Sequence, residues 1–122
     1  MSMLVDTSVW VDHFRHDDHR LKILLLRAQV QSHPFVIGEL ACGSLRRRSE
    51  VLSLLQSLPA VPVASNNEAL EFIERNNLMG RGIGWVDVHL LASASFAGIP
   101  VWTRDRRLAG VARLLGLYAQ PS

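Results

Sequence analysis

Met3-Leu4-Val5-Asp6-Thr7-Ser8-Val9-Trp10 decides how the rest of the chain is read. Three apolar residues run into an aspartate, and two small hydroxyl residues follow it. A short apolar run ahead of helix-like patterning reads as a buried parallel strand, because a strand covered on both faces has no polar alternation. Asp6 then stands where that strand ends. In open parallel sheets, ligands bind in the crevice outside the carboxyl ends of the strands. An acid at that place is either a helix N-cap, its oxygen accepting a backbone N–H, or part of a site. Three more acids recur downstream in similarly apolar settings, and they weigh toward a site.

The 122 residues fit one domain covering 1–122, and a 48% hydrophobic content supplies its core. The net charge is only +2, and arginine carries all of the base except Lys22. Arginine's planar fork suits bidentate contact with phosphate and can stack on bases, which leans toward a nucleic-acid partner. With Cys42 as the lone cysteine, no intrachain disulfide can form, and a reducing compartment fits. No apolar run approaches the ~20 residues needed to cross a membrane. The N-terminus shows neither the charged region nor the apolar core of a signal peptide, so the expected location is the cytoplasm.

Outward from the opening stretch, Ser8–Phe14 begins a short helix with Val9 and Trp10 inward. His13 to Arg20 reads as a polar connector; its three histidines lie among Asp and Arg without a rigid apolar frame, so a solvated loop is expected. Leu21, Leu24, Leu25 and Ala28 follow a helical stripe that predicts a helix over 21–30. Pro34 suits the first turn of the next helix, whose apolar face is Val36, Ile37, Leu40 and Ala41, with Glu39 among them. Arg46-Arg47-Arg48 ends that element, where three cations complement the helix dipole and offer a phosphate contact. Glu50–Leu58 is a strongly apolar helix, Ala60–Val63 a short strand, and Ser65 the cap of a helix over 68–75. Gly80-Arg81-Gly82-Ile83-Gly84 lacks P-loop or dinucleotide spacing and reads as a flexible loop. Trp85–Phe96 is a helix with Asp87 on the face of Leu90, Leu91 and Ala94. Pro100–Thr103 is a buried strand with Asp105 close behind, then come a helix over 108–115 and an edge strand at Leu117–Ala119.

Alternating short apolar strands and helices argue for an α/β sandwich around a parallel sheet. Asp6 and Asp105 follow strands; Glu39 and Asp87 sit on helices among apolar neighbours. Each alone could be a cap or an exposed acid. Ionised acids are rarely buried unless paired or bound to a cation, and clustered carboxylates raise one another's pKa unless a cation holds them. An oxygen-only ligand set without thiolates points to Mg²⁺, with Mn²⁺ as the other fitting ion. Such a site activates water and stabilises the charge of in-line attack at phosphorus, which is nuclease chemistry without a covalent nucleophile.

Four stretches carry a resemblance: Leu4-Val5-Asp6-Thr7-Ser8-Val9-Trp10, Ile37-Gly38-Glu39-Leu40-Ala41, Trp85-Val86-Asp87 with Leu91-Ala92, and Trp102-Thr103-Arg104-Asp105-Arg106-Arg107-Leu108. In that order the chain resembles the PIN-domain family, in particular the VapC toxins of toxin–antitoxin pairs. The resemblance implies a three-layer sandwich with a central, mainly parallel sheet, and a Mg²⁺-dependent endoribonuclease. It further implies a homodimer restrained by a small VapB-type antitoxin. Carried over, Asp6, Glu39, Asp87 and Asp105 match the family's acidic quartet, and Thr103 matches the small polar residue before the last acid. Asp6, Asp87 and Asp105 are then the metal ligands, and Glu39 orients or activates the attacking water. Val88-His89 departs from the family pattern, in which Ala commonly follows the third acid. His89 is expected to point away from Asp87's face as a satisfied structural histidine.

Two other readings compete. A PIN-fold RNA- or partner-binding module without turnover would have no use for four like charges facing phosphate. A phosphatase with Asp6 as nucleophile commonly wants a second Asp two positions on, where Ser8 stands.

Overall fold

The computed structural model describes residues 1–121. Its centre is β1 (Met3–Val5), flanked by β2 (Val30–Gln31) and β3 (Val101–Trp102) in the order β2-β1-β3, all parallel. Met3, Leu4 and Val5 are all buried, as an apolar run without alternation requires. Leu4 lies opposite Val101 and Val5 opposite Trp102, while Met3 and Leu4 face Val30 and Gln31 on the other side. Single parallel bridges, Ser32–Ala60 and Val101–Tyr118, extend the sheet.

Seven helices flank it among the described residues: α1 (Thr7–His16), α2 (His19–Leu26), α3 (Pro34–Ala41), α4 (Arg48–Ser57), α5 (Asn66–Asn76), α6 (Trp85–Ala97) and α7 (Arg106–Leu114). This is the expected α/β sandwich. Residues Val88 to Ala94 of α6 are buried without a break, and the helix packs against β1 and β3 as well as α5. A helix apolar all round belongs in a core, and here it runs beneath the crevice that receives the acids. Trp10, Leu21, Leu55, Leu90, Leu91 and Leu108 fill the rest of that core.

The chain leaves β1 for β2 on one side and later returns to β3 on the other. The gap between the carboxyl ends of β1 and β3 is therefore a topological switch point, where connections diverge and leave an open crevice.

Several expectations need correction. The helix expected over 21–30 stops at Leu26, because Ala28 turns to φ 55°, and Val30–Gln31 becomes β2. The His13–Arg20 segment is not a loop: His13 and His16 belong to α1 and His19 to α2, with only Asp17 and Asp18 between the helices. Asp18 makes this possible by accepting the backbone N–H groups of Arg20 and Leu21 as the cap of α2. The Ala60–Val63 strand reduces to one bridge at Ala60. The arginine run does not end α3, which stops at Ala41; Arg47, at φ 53°, leads into α4 instead.

Candidate active site

Asp6 directly follows β1 and immediately precedes α1, yet its carboxylate caps nothing. Its Oδ2 accepts hydrogen bonds from Ser8 Oγ at 2.8 Å and Thr103 Oγ1 at 2.7 Å. Each hydroxyl has one proton and donates it to Asp6, and each accepts a backbone N–H in return: Arg104 N on Ser8 at 3.0 Å, Asp105 N on Thr103 at 3.0 Å. The turn after β3 is thereby stitched to the turn after β1 across the switch point. Asp6 and Thr103 are buried, and Asp6 Oδ1 takes no hydrogen bond from the described residues.

The other three acids follow the same arrangement. Asp105 caps α7 with Oδ1, accepting from Arg107 N at 2.9 Å and Leu108 N at 3.0 Å. Asp87 Oδ2, in the first turn of α6, accepts from Gly84 N at 3.3 Å. Glu39 Oε1, on α3, accepts from Thr7 Oγ1 at 2.6 Å. In each case one oxygen is fixed by the protein and the other takes no hydrogen bond from the described residues. The cap reading holds for Asp105 and in part for Asp87. It accounts for one oxygen of each carboxylate.

The structure brings Asp87 within electrostatic reach of the other three acids. Burial raises the Asp87 carboxyl above the usual range; the Gly84 N–H pulls it down, and Asp6, Asp105 and Glu39 push it up. Among the described residues, no three His, Cys, Asp or Glu side chains are already drawn into a group around a common cation position. The set fits a hard divalent cation by donor chemistry and charge: oxygen donors alone, mutual repulsion for a cation to relieve, and one open oxygen per acid.

Three residues that sequence reasoning passed over complete this region. Ser8 holds Asp6, and its signal was a hydroxyl two residues after a strand-end acid. Thr7 holds Glu39 from across α1 and α3. Arg104 reaches back to Asp12 at 3.0 Å and Asp18 at 2.7 Å, clamping the β3 turn to α1 and to the cap of α2. Burial raises the Asp18 carboxyl, but bonds from Arg20, Leu21 N–H and Arg104 outweigh it and hold the group at about 2. No local sequence pattern links Arg104 to either acid, because the contacts span most of the chain.

His89 is buried in α6, as a structural role requires, but it is not satisfied: neither ring nitrogen finds a hydrogen-bond partner among the described residues. It packs edge-on against Trp85 at 4.6 Å and Phe35 at 4.9 Å between ring centroids.

The PIN domain profile matches residues 3–114. The chain is 48% identical over 107 residues to Ribonuclease VapC32 of two Mycobacterium tuberculosis strains, CDC 1551 / Oshkosh and ATCC 25618 / H37Rv, covering 87% of this chain and 86% of the relative. Among solved structures, PAE2754 from Pyrobaculum aerophilum superposes with a TM-score of 0.61 over 90% of this chain and 78% of its own, at 21% identity, a likeness of fold. With a family profile spanning nearly its whole length and a VapC-type relative of almost half identity, the chain belongs to the PIN-domain family.

Proposed function

We propose that this chain is a Mg²⁺-dependent endoribonuclease and the toxin of a type II toxin–antitoxin pair. The observation that carries the proposal is the half-fixed state of four carboxylates at the switch point. Each has one oxygen held by a backbone N–H or a hydroxyl and one without a protein hydrogen bond. The near relative named as a ribonuclease supports the substrate class.

In this reading Asp6, Asp87 and Asp105 hold the cation, with Mn²⁺ able to replace Mg²⁺. When bound, the cation supplies a water of lowered pKa and charge stabilisation at the phosphoryl group. Ser8 and Thr103 fix the rotamer of Asp6 so that Oδ1 presents to the crevice. Glu39 is exposed and takes its one hydrogen bond among the described residues from Thr7, and it orients or deprotonates the attacking water. The protein works as a homodimer in the cytoplasm.

The partner proposal is a VapB-type antitoxin. A groove of about 440 Å³ beside Glu39 is lined by Val11, Phe14, Leu40, Leu45 and Arg46 among others. It suits the apolar face of an antitoxin helix, while an antitoxin arginine forms charge-assisted bonds to the acids in place of the cation.

The test is cleavage of a labelled RNA with and without Mg²⁺. Asp6→Asn and Asp87→Asn should each lower cleavage by about 10²–10³-fold with the fold retained, the scale of removing one dominant electrostatic contact. Retained cleavage in both variants, or hydrolysis of a small phosphomonoester instead of RNA, would overturn the assignment.

A further inference from the structure

Thr103, which holds Asp6, also lines a second, mostly polar cavity of about 490 Å³. Arg20, Arg104, Arg106 and Arg113 line it together with the rings of Trp102 and Tyr118, and no carboxylate of the described residues does. Two of the arginines are already committed. Arg20 and Arg104 both pair with Asp18, and Arg104 also pairs with Asp12. Arg106 and Arg113 have no ion pair among the described residues and are exposed. They lie seven residues apart on α7, which places them two turns apart on one helix face.

The aromatic residues fix how these cations are presented. The Arg20 guanidinium lies 5.2 Å from the centre of the Trp102 ring, and that of Arg113 lies 4.0 Å from the centre of Tyr118. A guanidinium stacked by its face keeps its in-plane N–H groups for a partner in that plane, and a bidentate phosphate is the partner that geometry favours. The wall also contains Thr103, whose hydroxyl holds Asp6. An anion seated here is thus one residue away from the proposed reaction centre.

We infer that this arginine bowl seats a backbone phosphate of the RNA strand, next along from the bond presented to Asp6. The inference rests on the ribonuclease reading and adds to it a register: the cut falls a fixed number of phosphates from the bowl. Arg106 and Arg113 are the two cations that contact the strand, and Arg20 and Arg104 brace the bowl through Asp18.

The experiment measures RNA binding to the full chain, with Asp87→Asn in every arm and a chelator present so that the strand stays intact. A contact to one phosphate of a single strand contributes about 0.7 to the slope of log affinity against log salt. Arg106→Gln with Arg113→Gln should therefore flatten that slope by about 0.7, whereas Arg106→Lys with Arg113→Lys keeps it. Arg75→Gln, a single charge loss on α5 outside the bowl, should leave it alone. A second arm moves one neutral methylphosphonate along the RNA. One position near the bond that the parent cuts should weaken binding to the parent sites and not to the double Gln variant.

An unchanged slope, or a neutral linkage that costs the same in both proteins at every position, overturns the bowl. Competition by inorganic phosphate or a mononucleotide as strong as by RNA, phosphate for phosphate, makes it a site for small anions and overturns the strand. If the parent cleaves RNA while the bowl variant binds it normally, this inference fails and the ribonuclease reading stands. If the parent neither binds nor cleaves RNA, both fall.

Discussion

Two polar clusters in this chain obey opposite rules. In the acidic set of Asp6, Glu39, Asp87 and Asp105, each acid has one oxygen bonded to the protein and another without a hydrogen bond from the described residues. At the start of α3 and within α6, His33 Nε2, both nitrogens of His89 and Ser93 Oγ are buried with no hydrogen-bond partner among the described residues. His33 uses Nδ1 to accept the Phe35 N–H at 2.9 Å and so caps α3, while its ring and that of His89 pack against Phe35. On the proposed function, the first cluster is completed by a cation from outside. The second is closed in by aromatic rings, Phe35 against both imidazoles and Trp85 against His89.

The two clusters should therefore respond to pH with opposite sign, which gives the largest expected effect on stability. Burial and the neighbouring His89 lower His33 to about 4, and burial lowers His89. A base with a depressed folded pKa favours the fold above its unfolded value and loses that contribution as pH falls. From 6.5 to about 4 the shift of His33 corresponds to roughly 3 kcal/mol. Asp87 runs the other way: its raised carboxyl contributes below its ordinary range, and the contribution is lost as pH rises through its folded value. Metal-free denaturation at several pH values should show stability climbing from about pH 4 to 6.5, driven by the histidines. His33→Asn, which keeps a good N-cap while removing the titration, should shrink that climb. An identical climb in His33→Asn would show that the closed cluster is wetter than its geometry implies.

The same contrast explains what could be read in the sequence. The candidate acids were legible from local patterns: Asp6 and Asp105 after apolar strands, Asp87 at the start of an apolar helix, and Glu39 among the apolar residues of α3. The strand β1 and helices α3, α6 and α7 were legible for the same reason. Hidden were the features set by distant partners. Ala28 on a helical stripe gave no sign of its positive φ, so β2 vanished into a helix. Asp18 looked solvated until Arg104, far along the chain, was found on it. The unpaired nitrogens of His89 follow from Phe35 and Trp85 closing over the ring, which no spacing rule anticipates.

If the crevice acids are held half-open on purpose, then the hydroxyls that hold Asp6 are positioning residues. Ser8→Ala and Thr103→Val each remove one hydrogen bond to Oδ2 and leave Asp6 freer to turn. Each should lower RNA cleavage by about tenfold, equivalent to roughly 1.4 kcal/mol of barrier. Thr103→Ser should restore most of the loss, because it returns the hydroxyl without the methyl. RNA affinity in chelator should stay level throughout. If Thr103→Ser is as slow as Thr103→Val, the contribution of Thr103 is packing against β3, and the half-fixed arrangement loses one of its supports.

The smallest effect separates arginines that face the ligand from arginines that serve the fold, within the single run Arg46-Arg47-Arg48. Arg48 turns back across the loop and donates to Ala41 O at 2.5 Å and Gly43 O at 3.1 Å. It thus meets the carbonyls at the end of α3, where a cation also complements the helix dipole. The dipole role expected for the whole run therefore falls to Arg48 alone, and from the start of α4. Arg46 instead lines the groove that contains Glu39. Arg48→Gln should cost about 1 kcal/mol of stability, discounted for exposure, and leave the salt slope of RNA binding unchanged. Arg46→Gln with Arg47→Gln should do the reverse, flattening the slope by up to about 1.4 while stability holds. Denaturation and salt titration on the same two proteins decide it. Equal slopes for both variants would put all three arginines on phosphate and erase the division.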